Sequence, residues 1–234
     1  MFKLVRYVGL LLAVQLAVSC STETPQNIST GDRAASTNTA APVAEGRLVL
    51  AFGDSLYAGY QLRQNEGFAP ALERALVARG VPATVVNAGV SGDTTASGLQ
   101  RLAFTLDGLP RAPDLAIVGL GGNDALRGIS PDETRRNLAA ILTELRRRNI
   151  PVLLTGMMAP RNLGADYAAR FDPIYPELAR AFGTGLYPFF LDGVITRPDL
   201  LLPDGMHPTT QGIGVVVERM APDVARRLDA QPGT

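Results

Sequence analysis

Residues 48–57 read Leu48-Val-Leu-Ala-Phe-Gly-Asp-Ser-Leu-Tyr57. An almost unbroken apolar run bounded by glycine is the pattern of a strand buried on both faces, as in a parallel sheet. A serine placed just past such a strand lies where open α/β sheets bind ligands, outside the carboxyl ends of the strands. Alone, Gly53-Asp54-Ser55 would be an ordinary turn. The remainder of the chain changes that reading.

Downstream, strand and helix signals alternate. Residues 66–79 have helical spacing in Phe68, Leu72 and Leu76 and end at Gly80, a C-terminal cap. Residues 83–87 form a second strand, 94–106 a helix, and 114–120 a third, wholly apolar strand. Ser130-Pro131 opens a helix to Arg148, with Ser130 as N-cap and Glu133 in the first turn. Residues 151–157 are strand four and 186–191 strand five. Between them, 167–182 reads as helix with a break near Pro173 and Pro176. A closing helix spans 209–228, with Pro222 expected to kink or interrupt it. Such alternation builds βαβ units, hence a parallel sheet covered on both faces. The expectation is an α/β three-layer αβα sandwich whose five strands take the flavodoxin-like order 2-1-3-4-5. That order opens a crevice where strands one and three lie side by side.

The chain has 234 residues, 22 basic against 22 acidic, and 46% hydrophobic residues, enough for one domain with a substantial core. Balanced charge without a basic run argues against nucleic acid as a partner. Cysteine and histidine each occur once, so neither a His/Cys zinc cluster nor an intrachain disulfide can form. Lys3 and Arg6 precede an apolar stretch, Val8 to Val18, interrupted by Gln15 and followed by small residues. Residues 1–20 therefore read as an export signal, too short for a membrane span. Cys20 after Leu16-Ala-Val-Ser19 resembles a bacterial lipobox, in which the cysteine becomes the lipidated first residue. The lipobox usually has leucine three places before the cysteine, whereas here Ala17 stands there, so ordinary cleavage near Ala17-Val18-Ser19 remains an alternative. Residues 21–45, rich in Ser, Thr, Ala, Asn and Pro, are expected to be a disordered tether, with the folded domain at 46–234.

Three segments follow the first three strands: Gly53-Asp-Ser55, Asn87-Ala-Gly-Val-Ser-Gly-Asp-Thr94 and Gly121-Gly-Asn-Asp124. A fourth, Asp204-Gly-Met-His207, precedes the last helix. In the expected sheet order all four face one edge. Acyl transfer requires a nucleophile, a base, a group that orients the base, and donors for an oxyanion. Ser55 can be the nucleophile, His207 the base, and Asp204 the orienting carboxylate. The backbone N–H groups of Ser55 and Gly92 and the carboxamide of Asn123 can serve the oxyanion. Each segment alone reads as a turn, and a lone histidine as packing. Four unrelated turns would not be expected to deliver these groups to one edge.

The four segments resemble the sequence blocks of the SGNH/GDSL hydrolases, and closely those of its bacterial thioesterase I, lysophospholipase L1 and arylesterase branch. The matching text is Phe52-Gly-Asp-Ser-Leu-Tyr-Ala-Gly-Tyr60, Val86-Asn-Ala-Gly-Val-Ser-Gly-Asp-Thr-Thr95, Gly119-Leu-Gly-Gly-Asn-Asp-Ala-Leu-Arg-Gly128 and Leu202-Pro-Asp-Gly-Met-His-Pro208. The Gly-x-Ser-x-Gly elbow of α/β-hydrolases is absent. The resemblance implies the SGNH hydrolase fold and hydrolysis of esters or thioesters through an acyl-serine, without metal or cofactor. By similarity the catalytic residues are Ser55, Asp204 and His207, and the oxyanion hole is Ser55, Gly92 and Asn123. Aryl esters, short-to-medium acyl esters and lysophospholipids suit an exported enzyme held at a membrane through Cys20, in the periplasm or at the outer membrane. Leu126, Ile129, Met157 and Met158 are expected to wall an acyl pocket, although their type suits ordinary packing as well. Two alternatives stay open: an exported carbohydrate O-acetylesterase, and a non-catalytic lipoprotein that binds lipid or sugar.

Overall fold

The computed structural model describes residues 46–230. The expected export signal, Cys20 and tether lie outside the described residues. Strands β1 (Arg47–Gly53), β2 (Ala83–Gly89), β3 (Leu115–Gly119), β4 (Val152–Thr155) and β5 (Gly185–Tyr187) form one sheet in the order β2-β1-β3-β4-β5. All pairings are parallel. This is the expected order, with β1 and β3 adjacent.

Alternate strand residues point to opposite faces. Val49, Ala51, Leu115, Ile117 and Leu153 pack under α2 (Phe68–Val77) and α8 (Thr210–Asp229). Leu50, Phe52, Ala116, Val118 and Leu154 pack under α3 (Thr95–Asp107), α5 (Pro131–Arg147) and the pair α6 (Ala165–Phe171) and α7 (Ile174–Phe182). Each helix contributes an apolar stripe, such as Phe68, Leu72 and Leu76 in α2. Both faces of the sheet are thus covered, which is why its strands read as continuous apolar runs.

Local chemistry sets the element ends. Gly80, at φ +79°, closes α2: its N–H bonds the Val77 carbonyl, and the Val81 N–H bonds Leu76, both at 3.0 Å. This is the Schellman arrangement. Ser130 occupies the N-cap of α5, but its hydroxyl makes no capping bond. Its carbonyl instead accepts from the N–H groups of Glu133 and Thr134. The expected break near Pro173 separates α6 from α7. Pro222 lies inside α8 without interrupting it. Strand five is shorter than expected because Pro188 has no N–H for the ladder, and Phe190 and Leu191 turn into the core instead.

Two short helices follow the strands that carry the site: α1 (Ser55–Ala58) after β1, and α4 (Gly122–Leu126) after β3. Gly53, Gly89 and Gly119 lie in register at the ends of β1, β2 and β3. A Cβ on Gly53 or Gly119 would collide with the Tyr57 ring, and one on Gly89 would meet the Tyr57 and Ala58 backbone. Three side-chain-free positions in a row therefore let α1 lie flat across the end of the sheet. Tyr57 is buried there, its hydroxyl 2.8 Å from Thr155 Oγ1 and its ring packed on Phe68 and Phe190. Ser55 is held by this helix.

Candidate active site

Asp54 caps α1, its Oδ1 accepting from the Leu56 N–H at 3.1 Å. This capping bond fixes the turn, and Ser55 emerges as the first helical residue, half-buried. The Ser55 N–H, at the first position of a helix, has no intrahelical acceptor.

Asp204 and His207 share a tight turn before α8. The Leu202 N–H bonds the His207 carbonyl at 2.7 Å, and Leu201 and Pro208 form an antiparallel bridge. Within that turn Asp204 Oδ1 accepts from the N–H groups of Met206 (2.9 Å) and His207 (3.0 Å). Its Oδ2 lies 2.7 Å from His207 Nδ1. Partial desolvation pushes the Asp204 carboxyl up, but the two backbone N–H groups and the imidazole outweigh it and hold the pKa below the ordinary value. An ionised carboxylate only accepts, so Nδ1 carries the ring proton and donates it. That leaves His207 Nε2 as acceptor, and the Ser55 hydroxyl lies 2.8 Å away. The Tyr60 ring packs against the imidazole at 4.3 Å between centroids.

The oxyanion candidates converge on the same edge. Gly92 adopts φ +85°, and its carbonyl accepts from the Arg127 guanidinium at 2.7 Å. Asn123, in α4, donates through Nδ2 to the Asp93 carbonyl (2.9 Å) and to Asp54 Oδ2 (3.4 Å). The carboxamide is thereby tied both to the residue after Gly92 and to the residue before Ser55. Asp124, fully buried, accepts from the Thr95 N–H (2.8 Å), the Thr95 hydroxyl and the Thr134 hydroxyl (3.2 Å). It locks α4 to the starts of α3 and α5. Asp54 is itself only 3% exposed. Its burial, opposed by the Leu56 N–H bond and reinforced by Asp93 and Asp124, raises its pKa from 3.8 to about 7.

The four residues expected to wall an acyl pocket differ in burial. Leu126 and Met158 are exposed, and Ile129 is half-buried. Met157 approaches Gly122 and packs against the core. A narrow depression at Ser55 is lined by Leu56, Gly59, Tyr60, Leu62, His207, Pro208 and Ile213. Tyr60 and Leu62 went unread in the sequence because no periodic pattern covers the loop between α1 and α2. Among the described residues, no group of three or more His, Cys, Asp or Glu could hold a metal ion. No helix among them is long and apolar enough to cross a membrane.

The arrangement supplies an activated hydroxyl, a base with a fixed tautomer, and nearby amide donors, which together are the requirements of acyl transfer. Comparison with known proteins agrees. The profile of the GDSL-like lipase/acylhydrolase family matches residues 51–213. The chain is 37% identical to an arylesterase of Vibrio mimicus over 180 residues, covering 77% of this chain and 89% of that one. It is 36% identical to the thioesterase 1/protease 1/lysophospholipase L1 of Escherichia coli (strain K12) over 173 residues, 74% of this chain and 81% of that protein. Its fold superposes on the crystal structure of AlinE4, an SGNH-hydrolase family esterase, with a TM-score of 0.68. That pair is 55% identical over 78% of this chain and 96% of that one.

Proposed function

Because the chain belongs to the GDSL-like lipase/acylhydrolase family, we propose that it is a serine esterase that hydrolyses carboxylic esters through an acyl-Ser55 intermediate. The observation that carries this reading is the continuous hydrogen-bond chain Ser55–His207–Asp204, at 2.8 and 2.7 Å.

The Ser55 oxygen attacks the ester carbonyl while His207 Nε2 takes its proton. Asp204, held ionised by its backbone N–H bonds, stabilises the imidazolium through Nδ1. The tetrahedral oxyanion is received by the N–H groups of Ser55 and Gly92 and by Asn123 Nδ2, which gives up its long 3.4 Å contact with Asp54 Oδ2 and keeps its bond to the Asp93 carbonyl. Collapse expels the alcohol, which leaves with the proton from His207. Water then attacks the acyl-serine, His207 again acting as base, and releases the acid and free Ser55.

Aryl and short-to-medium acyl esters are the proposed substrates, with lysophospholipids and acyl thioesters as further candidates. The arylesterase, thioesterase and lysophospholipase names of the relatives support this range. Lipidation of Cys20 and residence in the periplasm or at the outer membrane rest on the sequence of residues 1–45 alone.

The test is hydrolysis of p-nitrophenyl esters from acetate to palmitate by the purified chain, beside Ser55→Ala. Turnover that falls off with chain length and vanishes in the variant is expected. Cleavage confined to acetylated sugars would replace this reading by carbohydrate O-acetyl ester hydrolysis. Binding of lipid or sugar with no cleavage at all would make the protein a carrier.

A further inference from the structure

Arg101 lies on α3, outside all four sequence blocks, with its side chain half-buried beneath the site. Its Nε donates to Asp93 Oδ2 at 2.6 Å and its Nη2 to the Gly53 carbonyl at 3.0 Å. Its guanidinium plane stacks over the Phe52 ring, 4.1 Å from the centroid. One planar group thus spans the end of β1, which leads into Ser55, and the Gly92–Asp93 loop. Gly53 O also accepts from the Val90 N–H at 3.0 Å, so both ends of the glycine loop are referenced to the nucleophile strand. Asp93 passes the registration on, because its carbonyl holds the Asn123 carboxamide.

We propose that Arg101 is the positioning residue of the oxyanion hole: its fork sets the Ser55, Gly92 and Asn123 donors in register with one another. This rests on the esterase reading above. Each donor sits on a different loop, so no local turn can fix their mutual distances. A rigid group bonded to two of the loops, and through Asp93 to the third, can. Lysine would not replace it, since a point-like ammonium on a flexible stem cannot span a carboxylate and a carbonyl while lying flat on Phe52. Arg101 has a second duty. Asp54, Asp93 and Asp124 are all buried here, and among the described residues no other basic side chain pairs with any of them. The guanidinium pairs directly with Asp93. Ser97 and Arg101 lie four residues apart on one face of α3, and Asp93 stands just ahead of its N-cap, Thr94.

The test compares the full-length protein with Arg101→Lys on p-nitrophenyl butyrate, with a boronic acid as mimic of the tetrahedral intermediate. Misplaced donors weaken the transition state more than the ground state. The expected result is a fall in kcat of about 10- to 100-fold, a KM within about threefold of wild type, and boronate affinity falling in step with kcat/KM. An Arg101→Lys protein that melts earlier yet keeps wild-type kcat and boronate affinity while folded would overturn the proposal, leaving Arg101 a purely structural cation. If Arg101→Lys does not fold, Asp93→Asn replaces it. That variant keeps the size of the side chain and the carbonyl that holds Asn123, and the same fall in kcat and boronate affinity is expected, with parental values again refuting the clamp. Wild-type protein that neither turns over nor binds boronate would refute the esterase reading itself, and this role with it.

Discussion

Replacing Asp54 by asparagine should remove one component of the protein's pH-dependent stability. The carboxyl is 3% exposed and is not ion-paired among the described residues, and burial together with Asp93 and Asp124 lifts its pKa from 3.8 to about 7. The folded state therefore holds a proton that the unfolded chain releases at lower pH. Stability from this group is fully present below the unfolded pKa and is lost as pH rises through the folded one. Across the interval between the two values, one pH unit is worth about 1.4 kcal/mol. Between pH 5 and pH 8 the wild type should lose on the order of 2–3 kcal/mol through Asp54. Asparagine fits the same space, and its Oδ1 can still accept from the Leu56 N–H, so the helix cap survives. It loses the acceptor that faces Asn123, a cost that does not vary with pH. Urea unfolding of both proteins at half-unit steps from pH 5 to 8 gives the difference curve. The variant should gain on the wild type steadily up to about pH 7 and then run parallel to it. Parallel curves throughout would mean that Asp54 is ionised in the folded protein, and would refute the account of the buried carboxylate layer.

Asn123→Ala should lower kcat on p-nitrophenyl esters by about 10² to 10³ with a smaller change in KM, as for the loss of one oxyanion donor; a wild-type kcat would remove the carboxamide from the mechanism. Gly89→Ala should destabilise the fold by about 3 kcal/mol or more, because the new methyl would lie 2.6 Å from the Tyr57 carbonyl carbon in a rigid contact between α1 and β2. Thermal unfolding of that variant measures it, and an unchanged midpoint would show that α1 does not lie flat on the sheet end as described.

The strands were legible because a sheet covered on both faces needs apolar side chains at successive positions, and Leu48 to Phe52 and Leu115 to Val118 supply them. Ser55, Asp204 and His207, which the structure joins by hydrogen bonds, could be picked out with the candidate donors Gly92 and Asn123 because acyl transfer would call for such groups and the sheet order sends their loops to one edge. The short helices α1 and α4 were not, since four or five residues are too few to show a period. Nor could the sequence distinguish Gly53, Gly89 and Gly119 from ordinary turn glycines; their shared role depends on the register of three strands. Strand five misled because Phe189 to Leu191 are apolar for packing beyond the sheet, after Pro188 has ended the ladder. Asp54 read as a turn residue, and its burial follows only from the way α1 and α4 close over it.

The central claim is a covalent acyl-serine at Ser55. Its most direct measurement is intact-protein mass spectrometry after rapid mixing with p-nitrophenyl butyrate and acid quenching, followed by peptide mapping. One butyryl group per chain, carried by the peptide containing Ser55 and absent from Ser55→Ala, is the predicted result. Rapid turnover with no acylated protein at any quench time, or acylation that persists in Ser55→Ala, would contradict it.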